Sequence, residues 1–115
     1  MSMNVAFFKN WTSHARKGIL ELSILNDIRN RRMYGYEIER KFRKSFGLFI
    51  SEGTIYNILR RFKRHGLVQI TLSKSPDGPK RKFYQLTKSG RETLAQMNLI
   101  WQSVKRQADS IERGK

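Results

Sequence analysis

The chain contains no cysteine and no long apolar run, and each absence excludes a class of protein. Without cysteine there is no disulfide framework, no thiolate zinc site and no cysteine nucleophile. Polar residues interrupt the apolar N-terminal segment, so no stretch reaches the length of a signal peptide or a membrane span. We therefore expect a soluble, cytoplasmic protein that is not attached to a membrane.

Histidine and acidic residues are also scarce, since the chain has 2 His and 9 Asp or Glu. The carboxylates are not clustered, so the chain lacks an evident acid–base pair, nucleophile–base pair or metal-binding constellation. His65 lies at a predicted helix end, where it is better suited to interact with the helix dipole than to catalyse a reaction. We expect no enzymatic activity, no metal and no cofactor.

Basic residues, by contrast, are abundant. Lys and Arg number 24, which gives a formal net charge of +15 over 115 residues. Such a charge repels itself within a monomer and attracts polyanions, of which nucleic acid is the first candidate and an anionic membrane the second. A chain of this length forms one compact domain with a modest core, so its size also favours association with a second copy.

The spacing of apolar residues predicts four helices before residue 66. Val5, Phe8, Trp11 and Ala15 indicate a short amphipathic helix, and a more fully buried helix follows over about residues 15–30. The third helix ends before Gly47, a favoured terminator, and the fourth begins after Ser51, a good N-cap, and stops at Gly66. The core-facing residues of these last two helices are Ile38, Phe42, Phe46, Ile55, Leu59 and Phe62.

Beyond Gly66 the apolar period changes to two, as a half-buried strand requires. The apolar positions of this strand are Val68, Ile70 and Leu72. A second short strand is expected over about residues 82–86. The intervening segment, residues 73–81, contains both prolines and an Asp-Gly pair, so it predicts a turn. The two strands form a hairpin with a basic tip.

A final helix, capped by Thr87 and reaching about Glu112, carries a heptad seam at alternating steps of four and three. The seam consists of Gly90 followed by the expected dimer contacts Leu94, Met97, Trp101, Val104, Ala108 and Ile111. The alternative is that this stripe packs on the helix's own domain. Dimerisation is favoured, because so small a domain offers little surface to cover a seam of about 30 Å.

The order helix, helix, turn, helix and β-hairpin predicts a winged helix-turn-helix, a mainly α fold of the α+β class. We expect an N-terminal helical extension (residues 1–14), a winged helix-turn-helix DNA-binding domain (15–87) and a long C-terminal dimerisation helix (88–115). In a two-fold dimer, two recognition helices meet successive major grooves about one helical turn apart, which predicts a palindromic site on double-stranded DNA.

The fourth helix is the expected recognition helix. Its outward face can read bases through Asn57, which suits adenine, and Arg60, which suits guanine, while Gly53 lets the helix N-terminus approach the duplex closely. The expected DNA contacts of this helix and its cap are Ser51, Gly53, Thr54, Tyr56, Asn57, Arg60, Arg61 and Arg64. The alternative, a merely solvated basic face, is disfavoured by the preceding turn and the following basic hairpin.

Three further sets of residues leave alternatives open. Lys80, Arg81 and Lys82 lie where a wing contacts the phosphate backbone or enters a minor groove, and Tyr36 either binds phosphate or belongs to the core. Trp101 either fills the dimer interface or lines a gap that admits a small planar hydrophobic effector. The N-terminal residues that can join such a pocket are Phe8 and Trp11.

Several of these motifs, in this order and spacing, also resemble the PadR-like regulators over roughly residues 16 to 104. The motifs are Tyr34-Gly35-Tyr36-Glu37-Ile38, Gly53-Thr54-Ile55-Tyr56, Leu59-Arg60-Arg61-Phe62, Gly66-Leu67-Val68, and Arg81-Lys82-Phe83-Tyr84-Gln85-Leu86-Thr87 with Gly90. The single C-terminal helix with a tryptophan in mid-seam is similar to the small subfamily.

The resemblance implies a dimeric winged helix, usually a repressor acting near its own gene or on detoxification and stress genes. It also implies that Trp101 lines a central pocket between subunits that binds planar hydrophobic compounds, as in some small members. Asn57 stands where the family often has proline, and Phe62 where it usually has leucine. The high charge keeps two other functions open: a ligand-independent repressor and an architectural or RNA-binding basic protein.

Overall fold

The computed structural model describes residues 2–46, 51–74, 76 and 78–115. They form a mainly helical winged helix-turn-helix with a small antiparallel sheet, which confirms the predicted fold class. The described elements are α1 (Val5–Asn30), β1 (Met33–Tyr34), α2 (Gly35–Phe46), α3 (Glu52–Arg64), β2 (Val68–Lys74), β3 (Lys80–Leu86), α4 (Lys88–Arg106) and α5 (Ala108–Arg113). Within these ranges no helix combines the length and apolarity needed to cross a bilayer.

Helix α1 is continuous from Val5 to Asn30, so the prediction of two separate helices meeting near residue 15 is wrong. The side-chain oxygen of Asn4 caps it by accepting the backbone N–H of Phe7 at 3.0 Å. Only the second half of α1 lies in the core, with Leu20, Ile24, Leu25 and Ile28 buried. The apolar residues of the first half of α1 lie on a different face from those of the second half. The change of face marks the point where the helix leaves the core and not the end of a helix. The proposed boundary between residues 14 and 15 therefore falls inside α1, and the three-part division stays a prediction.

Helix α2 packs on α1 and on α3, and the buried side chains of the three helices share one core. Ser51 caps α3 as predicted, since its Oγ accepts the backbone N–H of Thr54 at 3.2 Å. The helix stops before Gly66, whose φ of +73° lies in the left-handed region that favours glycine. The predicted core residues that the structure places in the core are Ile38, Phe42, Ile55, Leu59 and Phe62. Gly47 and the side chain of Phe46 lie outside the described residues.

The sheet has the strand order β1-β3-β2. Strands β2 and β3 pair from Val68 opposite Leu86 to Lys74 opposite Lys80, so the hairpin is longer than predicted and takes in the ends of the expected turn. Ser75 and Asp77 of that turn lie outside the described residues. Strand β1 was not predicted, because two residues are too short to show a periodic pattern.

The prediction of a half-buried β2 is wrong beyond its first residue. Val68 is buried, but Ile70 and Leu72 are 37% and 63% exposed. In the outer half of the hairpin, residues 72–74 and 80–82, the described residues leave Leu72 mostly exposed, and Ile70 next to it is partly exposed. This outer half is called the wing.

The C-terminal helix is interrupted, which corrects the prediction of one helix reaching Glu112. Thr87 caps α4 as predicted, because its Oγ1 accepts the backbone N–H of Gly90 at 3.0 Å. Gln107 then leaves helical geometry at φ −103° and ψ 10°, and its N–H is shared between the carbonyls of Ser103 and Val104 at 3.1 and 3.2 Å. Apolar spacing indicates which face a side chain occupies and does not report such a change in backbone bonding.

Gly90 fixes how closely α4 approaches the turn before β2. A Cβ atom there would lie 2.0 Å from the carbonyl oxygen of Leu67, which also accepts the N–H of Thr87 at 3.0 Å.

We expect Gly90→Ala to destabilise the protein by about 1–3 kcal/mol or more, because the backbones of α4 and the turn at Leu67 must move apart. In an open helix the same change would stabilise by roughly 1 kcal/mol. Urea unfolding, with the exposed Ser89→Ala as control, measures the difference, and an unchanged midpoint for Gly90→Ala would contradict the close packing.

Candidate nucleic-acid interface

Helix α3 presents a polar face directly away from its buried stripe. With Ile55 and Leu59 fully buried, the predicted outward residues are all exposed: Gly53, Asn57, Arg60 and Arg64. The side-chain oxygen of Asn57 accepts a hydrogen bond from the Arg60 guanidinium. The two candidates for base reading are therefore one bonded pair in the DNA-free protein, and contact with base edges has to share or replace that bond.

Arg61 is placed differently from its neighbours on α3. Its guanidinium contacts the carboxylate of Glu21 on α1 and forms an ion pair there. The structure therefore does not bring Arg61 together with Asn57 and Arg60 on the outward face. The pairing joins the end of α3 to α1, and no sequence pattern links these positions, which lie 40 residues apart.

The start of α2 packs tightly against Tyr56 of α3. A Cβ atom at Gly35 would lie 2.5 Å from the Tyr56 phenol oxygen, so glycine is needed for the ring to lie there. Tyr36, the next residue, is 45% exposed, which excludes its alternative as a core residue. The guanidinium of Arg40 lies 5.7 Å from the centre of the Tyr36 ring. Tyr36 is thus open to solvent, and Tyr56 is 38% exposed although its phenol oxygen lies against α2.

Tyr84 of β3 lies beneath this part of α3 and was not singled out from the sequence. Burial raises the pKa of Tyr84 above its ordinary value of 10.0; the nearby Tyr56 phenol raises it further, and Arg60 lowers it. The phenol therefore stays protonated at neutral pH and presents no negative charge beneath Arg60. The sequence around Tyr84 does not indicate that this side chain lies near Tyr56 and Arg60, because that proximity depends on how β3 and α3 are placed in the fold.

The basic run on the wing is divided between the two faces of the sheet. Lys80 and Lys82 are exposed on the face that also carries Leu72, whereas Arg81 points to the opposite face. The Arg81 guanidinium lies 4.8 Å from the centre of the Tyr34 ring, a cation–π distance. Lys80 and Lys82 are thus exposed on the wing, while Arg81 is held against the base of the sheet.

The heptad seam is divided as well. Leu94 is buried in the core of its own domain, and Met97 packs against that core, so the alternative of packing on the same domain holds for the first turns of α4. The amides of Asn98 and Asn26 then pair reciprocally at 3.0 Å and join α4 to α1. Beyond this pair the remaining seam residues are exposed: Trp101, Val104, Ala108 and Ile111. Ile100, which heptad counting missed, adds an apolar side chain that is 67% exposed.

A groove of about 950 Å³ runs between the N-terminal half of α1 and helix α3, and is called here the α1–α3 groove. Its basic lining residues are Lys9, Arg16, Lys17, Arg60, Arg61 and Arg64. Of the three residues predicted for a ligand pocket, Phe8 lines this groove, whereas Trp11 and Trp101 do not. Within one protomer the structure thus does not bring the three together. Among the described residues, no group of His, Asp and Glu side chains is placed to hold a metal ion.

The helix pair α2–α3 followed by the wing defines a winged-helix DNA-binding regulator, in which the second helix of the pair enters the major groove. The profile of the transcriptional regulator PadR-like family matches residues 24–96. The chain therefore belongs to the PadR-like family, which confirms the resemblance. Members of this family are transcription factors and not enzymes.

Similar proteins support the same assignment. The structure of a PadR-like transcriptional regulator from Bacillus cereus is 38% identical, with 86% of this chain and 96% of that chain covered and a TM-score of 0.77. A Streptococcus transcriptional regulator is 30% identical, with coverage of 85% and 96% and a TM-score of 0.79. An uncharacterised protein from Lysinibacillus sphaericus is 30% identical over 100 residues, which cover 85% of this chain and 92% of that protein.

Proposed function

We propose that this protein is a repressor that binds a palindromic DNA operator as a homodimer. The observation that carries the proposal is the exposure of Asn57, Arg60 and Arg64 opposite the buried stripe of α3. Asn and Arg side chains discriminate adenine and guanine through paired hydrogen bonds in the major groove. Repression is the simplest consequence, because a protein that occupies promoter DNA blocks access to it.

The proposed dimer rests on two exposed apolar surfaces. On α4, the side chains of Ile100, Trp101 and Val104 are uncovered beyond the Asn26–Asn98 pair. On α1, Phe7, Phe8 and Trp11 are exposed in the half that leaves the domain. At 3.6 residues per turn Trp11 shares a face with Leu22, near the Asn26 side chain that pairs with α4. A second copy of α4 laid along this continuation would bury both surfaces, as contiguous apolar patches of this kind require.

Competition binding tests the proposed function. Labelled DNA from immediately upstream of the gene is bound at a stated salt concentration and challenged with random duplex and with RNA of equal length. We expect specific DNA to be preferred by about 10³-fold or more, as for other specific DNA-binding proteins. Equal competition by random duplex would favour an architectural protein, and stronger competition by RNA an RNA-binding protein.

We also propose that a small planar hydrophobic effector binds beside Trp101 between the two protomers and releases the operator. The Trp11→Phe variant leaves Trp101 as the only tryptophan, so its fluorescence reports this site alone. Titration with a planar aromatic cation is expected to quench that fluorescence and to weaken operator binding over the same concentration range. The Trp101→Phe variant is the matched control. Unchanged Trp101 emission would contradict the effector proposal and would favour a ligand-independent repressor.

A further inference from the structure

The N-terminal half of α1 carries a basic face that the proposed recognition helix and wing do not account for. Lys9, Arg16 and Lys17 line the α1–α3 groove, in which Arg60 and Arg64 form part of the other wall. The groove thus joins cations of α1 to two side chains on the outward face of α3. Its lining also includes apolar residues such as Phe8 and Ile19, along which lysine and arginine stems can lie with their charged ends in solvent.

The charge in this groove is almost uncompensated. No Asp or Glu occurs from Met1 to Leu20. Glu21 is the first acidic residue, and it is already paired with Arg61. Among the described residues, Lys9, Arg16 and Lys17 form no ion pair. The surface therefore complements a polyanion.

The apolar and basic residues of α1 occupy different faces. Lys9 and Arg16 lie about 140–160° around the helix from Trp11, which belongs to the face proposed for the dimer. Pairing centred on Trp11 would therefore leave Lys9 and Arg16 uncovered, and Phe8, about 60° around the helix from Trp11, would border both surfaces. A dimer contact and a nucleic-acid contact can occur on the same half-helix without competing.

The groove extends from the outward face of α3, where Asn57 and Arg60 line it, to the flank that carries Thr54. Tyr56, which is near Tyr84 of β3, is about 160° around α3 from Thr54, which lines the groove. A helix of about 10–12 Å diameter fills a major groove about 12 Å wide, so phosphates of the two strands lie on its two flanks. With α3 in such a groove, the wing would lie beside one strand and the basic face of α1 beside the other.

We propose that Lys9, Arg16 and Lys17 of α1 form a second phosphate-binding surface, which contacts the DNA strand that flanks α3 on the side away from the wing. This inference rests on the proposed DNA binding through α3 and extends the contacted DNA beyond the bases that α3 reaches. The contacts are to phosphates, so they add affinity without adding sequence preference.

The test compares two triple variants of equal charge. One is Lys9→Gln, Arg16→Gln and Lys17→Gln on α1, and its control replaces Arg106, Arg113 and Lys115 by Gln near the C-terminus. Glutamine is a good helix former, so α1 should persist, which circular dichroism checks. Each lost phosphate contact lowers the magnitude of the log–log salt slope by about 0.9. We expect three to be lost in the α1 variant, so its affinity deficit is about 40-fold larger at 50 mM than at 200 mM salt.

The sequence preference of the α1 variant is expected to stay that of the wild-type protein. A salt slope equal to that of the control variant would overturn the inference, whereas a wild-type protein without specific binding would overturn the proposed function instead.

A second measurement leaves the protein unchanged: neutral methylphosphonates replace the phosphates on the strand flanking α3. We expect wild-type affinity to fall only when the substituted phosphates lie on the flank away from the wing. Unchanged affinity with those substitutions would also overturn the inference. If the wild-type protein bound anionic amphiphiles tightly and the α1 variant kept the salt slope of the control variant, the groove would instead be a site for a small molecule.

Discussion

Replacing Val104 by Glu is expected to turn the dimer into a monomer and to lower operator affinity by about 10²–10⁴-fold. Val104 is 41% exposed in the protomer and lies beside Trp101 on the uncovered face of α4. In a two-fold interface the two carboxylates would be buried without partners, which costs several kcal/mol. The affinity falls because each half-site is then bound alone and the linkage between two sites is lost. Light scattering gives the molecular mass, and titration with operator DNA gives the affinity.

The matched control for this variant is Gln102→Glu. It places the same charge on the same helix at an exposed position, about 100° around from Trp101 and about 160° from Val104. We expect this variant to remain a dimer and to bind DNA as the wild-type protein does. A Val104→Glu protein that still has the mass of a dimer, or a monomer that binds operator undiminished, would contradict the proposed interface.

Replacing Arg60 by Ala should weaken operator binding by about 1–3 kcal/mol and relax the preference at one base position. The guanidinium is the group expected to contact a base edge, because it is exposed on the outward face of α3 and can share or replace its bond to Asn57. Arg60→Lys keeps the charge but not the paired donors, so it should lose base preference while retaining affinity for random duplex. Binding is measured on the operator and on variants with each base pair changed.

The wing supplies the comparison for Arg60. Lys80→Ala should weaken binding to all sequences by a similar factor, because an exposed lysine at the wing edge contacts phosphate. Since Asn57 and Arg60 are hydrogen-bonded in the free protein, their effects should not add in the double alanine variant. If Lys80→Ala changed base preference and Arg60→Ala did not, the assignments of helix and wing would be reversed.

The parts of the structure that the sequence predicts are those determined by local chemistry. Ser51 and Thr87 each cap a helix through their own hydroxyl groups, three residues from the N–H that they accept. The buried stripe of α3 follows from four-residue spacing, and its outward face follows from the stripe. The winged helix and its candidate recognition residues therefore require no knowledge of distant contacts.

The parts that could not be predicted depend on contacts between elements distant in sequence. Arg61 was grouped with the DNA-facing residues, but Glu21 of α1 holds it on the flank. Leu94 continues a perfect heptad, yet the core of the domain already covers it. Leu72 alternates as a buried strand residue would, but the hairpin extends beyond anything that could bury it. In each case the apolar periodicity identified the face of the helix or strand on which the residue lies. Whether that face contacts the core, another element or solvent depends on tertiary packing.

Selection of binding sites from random DNA tests the DNA-reading dimer most directly. Two copies of α3 related by a two-fold axis should enrich a palindrome whose half-sites are centred about 10–10.5 base pairs apart, or a multiple of that spacing. Each half-site should contain a base pair whose preference is lost in the Arg60→Ala protein. Enrichment of a single unrepeated site, or of no sequence at all, would contradict the proposal that a symmetric pair of α3 helices reads the operator.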